Sequence, residues 1–544
     1  MSRLRKLASE TAIYGLSSIL GRVLNFLLVP LYTHVLTRAD NGVMTLVYGA
    51  FVFLNILFSH GMESAYLKFA AGDDGRARQR TVFTTATASL LTASVLLGGL
   101  FLLVPSTLAW IAGLDNAAGV VPGRIVALAV AILVLDALAV VPFAELRLAG
   151  RAKAFAVARF AGILVNIGMT VWLLVGLDRG VMAVFEANAI ASAVTLVLLA
   201  PVYLGVLRRS GADDGGAVRV DRGLWRELLA FGLPFIPGGL GYAVTERASL
   251  FGLEKLREGG LAEAGLFGQS WKLGVFMMLV VQMFRFAWQP FFLQHARDAD
   301  ARALFARVFT VVHAILVAVL LGVSFFAFEV ATLPLPGGRT LIAEAFLPGL
   351  VVVPLSLLAY LLQGWYYVFS AGLYIEKQTR YFVHATGAGS VAAVVATLLL
   401  VPRMGIVGAG WANVAGYGVM AAVLLHRAQR AYPIPFDWRR VGLTSAVGAG
   451  LFALWSGVEA AQMWAVEAGL LGLYVASLVA IGMIPPVLLA RLRRRPQRAA
   501  PVPDVPAESA ATGRQMADLA ADPSAMATDD EGEPDAAATP PARP

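Results

Sequence analysis

The chain has 544 residues, 58% of them hydrophobic and 14% charged, with a net charge of +8 at pH 7. Soluble domains are about one-quarter charged, so a water-soluble globular protein is excluded. The absence of cysteine removes disulfides, thiolate catalysis and cysteine-ligated metals, and the scattered histidines His34, His60, His295, His313, His384 and His426 form no metal-ligand pair.

Apolar runs long enough to cross a bilayer follow one another along the chain and read as about fourteen spans, an all-α polytopic membrane protein. The first six are Thr11–Leu36, Asn41–Ala70, Thr81–Val104, Val121–Phe143, Ala154–Leu177 and Gly180–Leu207. After a polar loop come Leu228–Gly252, Ala264–Leu293, Leu304–Val330, Thr340–Ser370, Tyr381–Val401, Gly405–His426, Val441–Val458 and Val466–Ala490. The first run is too long for a signal-peptide core and reads as an uncleaved span. From Arg491 a basic cluster gives way to a stretch rich in Ala, Pro, Asp and Glu, expected to be a disordered tail.

Loop charge alternates. About 30 basic residues fall in the loops that hold the termini, Lys68, Arg147, Arg208, Arg297, Lys377 and Arg427, against about 7 in the others. The positive-inside rule then places both termini in the cytosol. Tyr14-Gly15-Leu16 opens the first span and Phe231-Gly232-Leu233 the seventh, while Ala187-Asn188 and Ala412-Asn413 mark the sixth and twelfth. Six spans precede the seventh, so these echoes predict a parallel repeat with a site between the lobes. The expected organisation is an N-lobe over 1–207, a cytosolic inter-lobe loop over 208–227, a C-lobe over 228–430, two further helices over 431–490 and the tail over 491–544.

No GxSxG, HExxH or P-loop lysine motif occurs, the outer loops are short, and no cofactor or metal is expected. Charge inside the spans is what remains informative, because it is costly in hydrocarbon. Arg22 sits near mid-membrane and shares a helical face with Ser18, Asn25 and Tyr32. It reads either as an anion ligand, since guanidinium suits phosphate, or as half of a buried ion pair. Asp136 and Glu186 are carboxylates that bind a coupling H⁺ or Na⁺ or pair with arginine. Glu246, beside Arg247 toward the outer end of the seventh span, is a third carboxylate candidate or only a cap. Lys272 and Arg285 share the eighth span but point to different sides, so both cannot line one narrow path. Pro234, Pro237, Gly238 and Gly239 break the start of the seventh span, as a hinge beside a cavity or as a fixed kink.

Several segments carry a resemblance. They are Gly61-Met62-Glu63-Ser64-Ala65-Tyr66-Leu67-Lys68-Phe69, Phe231-Gly232-Leu233-Pro234 with Glu246-Arg247, Phe284-Arg285-Phe286-Ala287-Trp288-Gln289-Pro290-Phe291, and Lys377-Gln378-Thr379-Arg380. In order and spacing the chain resembles the polysaccharide-transporter branch of the multidrug/oligosaccharidyl-lipid/polysaccharide (MOP) superfamily, the Wzx-type flippases, although an aspartate is usual where Glu246 stands. The resemblance implies two six-helix lobes in a V around a cationic cavity, two additional helices, and alternating access without ATP. It implies an undecaprenyl-diphosphate-linked glycan as substrate, an inner-membrane location, and work alongside a polysaccharide polymerase and glycosyltransferases, with no nucleic acid. Arg22 and Asn25, with Lys272 or Arg285, would supply the polar and positive lining. The alternatives are a lipid II flippase, a drug/cation antiporter of the same superfamily, which would favour an acidic cavity, and a membrane glycosyltransferase or polymerase, which would need a large outer catalytic loop.

The alternation predicts that single cysteines at Ala117, Gly259 and Gly337 react with an impermeant maleimide in intact cells, whereas those at Gly75 and Gly215 do not. Labelling at Gly75 or Gly215 without labelling at Gly259 would reject this topology.

Overall fold

The computed structural model describes residue 24 and residues 26–71, 75–111, 113–114, 122–208, 220–457 and 463–483. Arg22, Asn25 and the expected tail lie outside the described residues. The chain divides into a unit over Met1–Met483 and a second over Ile484–Pro544, the latter wholly outside them.

The first unit is built of helices. They are α1 (Val29–Val35), α2 (Arg38–Ser59), α3 (Met62–Ala70), α4 (Gly75–Leu103), α5 (Pro105–Ile111), α6 (Pro122–Leu148), α7 (Ala152–Val171) and α8 (Met182–Leu207). Then follow α9 (Arg222–Gly232), α10 (Phe235–Leu256), α11 (Gly260–Trp271), α12 (Val275–His295), α13 (Ala301–Phe325) and α14 (Ala327–Ala331). The last are α15 (Val353–Ile375), α16 (Arg380–Ala431), α17 (Trp438–Gly457) and α18 (Trp464–Ala480).

Among the described residues, ten segments are long and apolar enough to cross a membrane. One of them, α16, has 52 residues and breaks at Gly405, where φ is 53° and ψ is −130°. A helix of that length rises about 78 Å, more than twice the hydrocarbon thickness, so it supplies two spans. Helix α18 is a shorter apolar helix. This is a multi-pass all-α membrane protein, as the hydropathy pattern predicts.

Two expected boundaries shift. The seventh span begins earlier, at Arg222, because Asp221 caps α9 by accepting from the Gly223 and Leu224 amides at 2.7 and 3.0 Å. The tenth span does not begin at Thr340. Pro334–Leu335 pairs with Arg339–Thr340 as a short antiparallel hairpin, β1 and β2. Its turn residues Gly337 and Gly338 take φ of +85° and +74°, which side chains with a Cβ disfavour. A 3₁₀ stretch over Glu344–Val352 then leads into α15.

Helices α4, α6, α7 and α8 pack mainly on one another, as do α10, α12, α13, α15 and α16. Helix α2 joins the two groups through extensive contact with α11. Gly265 of α11 lies so close to the Arg38 carbonyl that a Cβ would have no room, the kind of small-residue approach that membrane helices use. His313 and Ser445 meet at 3.0 Å, and the Tyr474 hydroxyl donates to the Ala314 carbonyl at 3.2 Å. These contacts dock α17 and α18 on α13.

The second span is broken between α2 and α3. His60 has φ of 31° and Gly61 of 72°, and Gly61 abuts the backbone of Gly232 at the end of α9. Helix α10 then resumes after Leu233–Pro234. Pro237 falls in its first turn, where amide hydrogens have no intrahelical partner, so the ring removes no hydrogen bond.

Gly61→Val combines left-handed strain with a backbone clash. It is expected to cost about 2–4 kcal/mol, seen as a lower unfolding temperature in detergent. An unchanged temperature would show that the span break is not needed.

Candidate functional site

The polar residues of α2 and α11 organise the interior. Asn41 is buried and donates through Nδ2 to the carbonyls of Tyr32, Leu36 and Thr37 at 3.1, 3.3 and 2.9 Å. Its Oδ1 accepts a short hydrogen bond from Gln269 Nε2 of α11. Gln269 Oε1 in turn accepts from Lys272 Nζ at 3.0 Å, and that ammonium lies 5.4 Å from the Tyr32 ring centre. A continuous chain therefore runs from Lys272 across the helix groups to the end of α1.

Lys272 faces a cavity of about 450 Å³. Asn166 of α7 and Asn188 of α8 line it from one side, with Tyr32 and Tyr48. Glu246, Arg247, Trp271, Lys272 and Tyr360 line it from the other. Arg247 approaches Glu246 at 3.4 Å. Its Nε and the Asn166 Oδ1 are buried without a hydrogen-bond partner. Buried polar atoms are nearly always satisfied, so these two residues of the cavity lining carry an unmet hydrogen-bonding demand. Two cations against one carboxylate leave the charged lining net positive.

The cavity lies between two contact zones. At the end of α2 near Arg38, His34 Nε2 meets the Thr340 carbonyl at 2.7 Å, Arg38 Nε donates to the Ala345 carbonyl at 2.6 Å, and the Ala343 amide donates to Thr33 Oγ1 at 3.3 Å. The hairpin region thus ties down the end of α1. At the basic end, Lys68 Nζ sits 4.0 Å from the Phe231 ring centre, beside the Gly61–Gly232 contact. Ser89 Oγ of α4 bonds His60 Nε2 at 2.9 Å and accepts from Trp225 Nε1 at 3.1 Å. Glu63 pairs with Arg147.

The structure brings Lys272 and Glu246 to the cavity. It does not bring Arg285 there: that side chain is exposed, with its guanidinium 4.8 Å from the Tyr367 ring centre. A 3₁₀ turn at Lys272–Gly274 separates the two residues. Asp136 accepts from Ser192 Oγ at 2.8 Å, within the helix group of α6 and α8, and is not among the cavity's lining residues. Arg159, held 4.2 Å from the Phe143 ring centre, is a charge felt by Asp136. Glu186 is committed to Arg124 at 3.0 Å and Arg179 at 2.6 Å. Pro234, Pro237, Gly238 and Gly239 fall at the α9–α10 junction and the first turn of α10.

Sequence reading singled out Glu246 but passed over Arg247 as a cap, and it did not weigh Gln269, Asn41 or Asn166. Asn188 appeared only as a mark of the internal repeat. Its counterpart Asn413 is buried and accepts from Ser249 Oγ at 3.0 Å.

A family model described as "Polysaccharide biosynthesis protein" matches residues 7–295. No curated protein sequence matches the chain. Among solved structures it is similar to the lipid II flippase MurJ in an inward closed conformation, at 11% identity, covering 88% of this chain and 99% of that one, with a TM-score of 0.67. It is also similar to an inward-facing multidrug resistance MATE family transporter of the MOP superfamily, at 15% identity, covering 75% and 94%, with a TM-score of 0.58. A MOP superfamily transporter from Pyrococcus furiosus shares 16% identity, with 77% and 95% covered and a TM-score of 0.50. At these identities the structures establish a shared fold.

Proposed function

From the premise that this chain belongs to the polysaccharide biosynthesis protein family of the MOP superfamily, we propose that it is a flippase for undecaprenyl-diphosphate-linked oligosaccharide. The glycan would move from the cytosolic to the outer leaflet of the bacterial inner membrane. The observation that carries this reading is the cavity in which Arg247 and Lys272 face Asn166 and Asn188, with Arg247 Nε and Asn166 Oδ1 unpartnered. A diphosphate headgroup cannot enter hydrocarbon unaided. Two cations supply charge-assisted hydrogen bonds to its oxygens, and Tyr32, Trp271 and Tyr360 are aromatic residues of the same lining. A cationic drug would be repelled by the same pair, so the antiporter reading is less well supported. Lipid II presents the same diphosphate and remains the neighbouring alternative in substrate.

The helix groups of residues 24–208 and 220–431 are read as the two lobes, with the basic ends in the cytosol. The contacts of Lys68, Gly61 and Ser89 with α9 then form the cytosolic gate. Those of His34, Arg38 and Thr33 with residues 340–345 form the outer gate. A diphosphate drawing Lys272 away from Gln269 would free Gln269 and loosen its bond to Asn41. That is the bond by which the C-lobe holds the carbonyls at the end of α1. Binding in the cavity and release of the outer gate are thereby linked by one hydrogen-bond chain, as a differential interaction with two states requires. The helix break at Pro234 and Pro237–Gly239 is the place where the seventh span can bend.

Lys272→Ala and Arg247→Ala should each reduce flipping of a lipid-diphosphate sugar in proteoliposomes, normalised to folded protein, by about thirtyfold. Full activity of either variant at normal folded level would overturn the binding role.

Ion coupling is assigned to Asp136 rather than Glu186, because Glu186 is already neutralised by two arginines. Asp136→Asn is expected to abolish the response of transport to an imposed H⁺ or Na⁺ gradient, and Glu186→Gln to retain it. The reverse pattern would reassign the coupling site.

A further inference from the structure

A second recess lies apart from the central cavity, between α4 and α9. It has a volume of about 200 Å³ and is lined by Thr85, Ser89 and Thr92 of α4 and by Arg222, Trp225 and Arg226 of α9. Counting about 20 residues along α4 from Val104 places the hydrocarbon boundary near Thr84, so the recess straddles it. Trp225 is 38% exposed, the behaviour of an indole at a membrane interface.

The recess presents two arginines, and the neighbouring acids among the described residues are engaged or turned away. Arg222 and Arg226 are exposed, and neither forms an ion pair among the described residues. They are four apart on one helix and share a face. Thr85 is fully buried, and its Oγ1 accepts from the Asp221 amide at 3.2 Å, which ties α4 to the start of α9. The Asp221 carboxylate is occupied with the Gly223 and Leu224 amides. Glu227 follows Arg226 directly and so turns to a different side of α9.

We infer that this recess binds the headgroup of an anionic phospholipid in the cytosolic leaflet. Arg222 and Arg226 hold the phosphate, and the acyl chains run along α4 past Thr92. Two guanidiniums at a hydrocarbon boundary suit a phosphate that is anchored there by its own tails. Ser89 forms the floor of the recess. With the His60 Nδ1 hydrogen directed at the Phe58 carbonyl at 3.0 Å, the bare Nε2 accepts from the Ser89 hydroxyl, which itself accepts from Trp225. An occupant is therefore one hydrogen bond from the His60–Gly61 break of the second span. The leaflet assignment rests on the orientation proposed above; the binding measurement that follows does not depend on it or on transport.

The test is native mass spectrometry of the purified full chain titrated with phosphatidylglycerol or phosphatidylcholine in detergent. Wild type is expected to bind phosphatidylglycerol in preference to phosphatidylcholine. Arg222→Gln with Arg226→Gln should weaken phosphatidylglycerol binding about thirtyfold. Arg151→Gln with Arg208→Gln removes the same charge at exposed positions outside the recess and should leave binding unchanged. Equal affinity of wild type for the two lipids would overturn the proposal. So would equal losses in the two double variants, or displacement of phosphatidylglycerol by millimolar inorganic phosphate, which would indicate a site for the free anion.

Discussion

Hydrocarbon offers no partner to a polar group, and the interior of this protein is arranged around that shortage. Asn41 satisfies three carbonyls where α1 ends and α2 begins. Glu145 accepts from the Tyr66 hydroxyl at 2.6 Å and from Gln79 Nε2 at 2.9 Å. Arg159 lies against an aromatic face, and Lys272 donates to a glutamine that is itself shared across the helix groups. Arg247 Nε and Asn166 Oδ1 are exceptions, buried and unpartnered in two residues of the cavity lining.

The same shortage explains what could be read from the sequence. Spans, their order and the broken starts of the seventh span were legible because hydropathy and proline position are local properties. Lys272 and Glu246 stood out because charge inside an apolar run is conspicuous. Arg247 was equally visible but looked like a cap, and only the packing of α10 shows that it turns inward. Gln269 and Asn41 are uncharged, and their importance lies in meeting each other across 228 positions of sequence, which periodicity within a span cannot reveal. For Lys272 and Arg285 the sequence left open which of the two faces the cavity, because both lie within one span and point to different sides; the packing about the 3₁₀ turn at Lys272–Gly274 gives that place to Lys272. The hairpin at Pro334–Thr340 replaced an expected helical start because two glycines and two prolines nearby favour turns over helix.

Helix α2 holds both ends of the central cavity by different means. Near Arg38 the contact is backbone against backbone, with Gly265 allowing the approach, supplemented by hydrogen bonds to the loop before α15. Near Gly61 the contact is again glycine to glycine, but it is reinforced by Lys68 over Phe231 and by the Ser89 bonds. The first joins the Arg38 guanidinium, the His34 ring and the Thr33 hydroxyl to backbone groups of the loop before α15, whereas the second sets an ammonium and an indole against the start of the seventh span.

The short 3₁₀ turn at Lys272–Gly274 also bears on how this chain can change over evolutionary time. Each added or deleted residue in a continuous helix rotates everything beyond it by about 100°. A turn with a different pitch is a place where such an error can be absorbed, because the ladder is already interrupted there. The half carrying Gln269 and Lys272 is locked to Asn41, whereas α12, with Arg285 on its exposed side, answers to a separate packing surface on α15. Length variation among related chains should therefore be tolerated after Gly274 sooner than before Gln269, and the cavity lysine can keep its setting while the remainder of the span drifts.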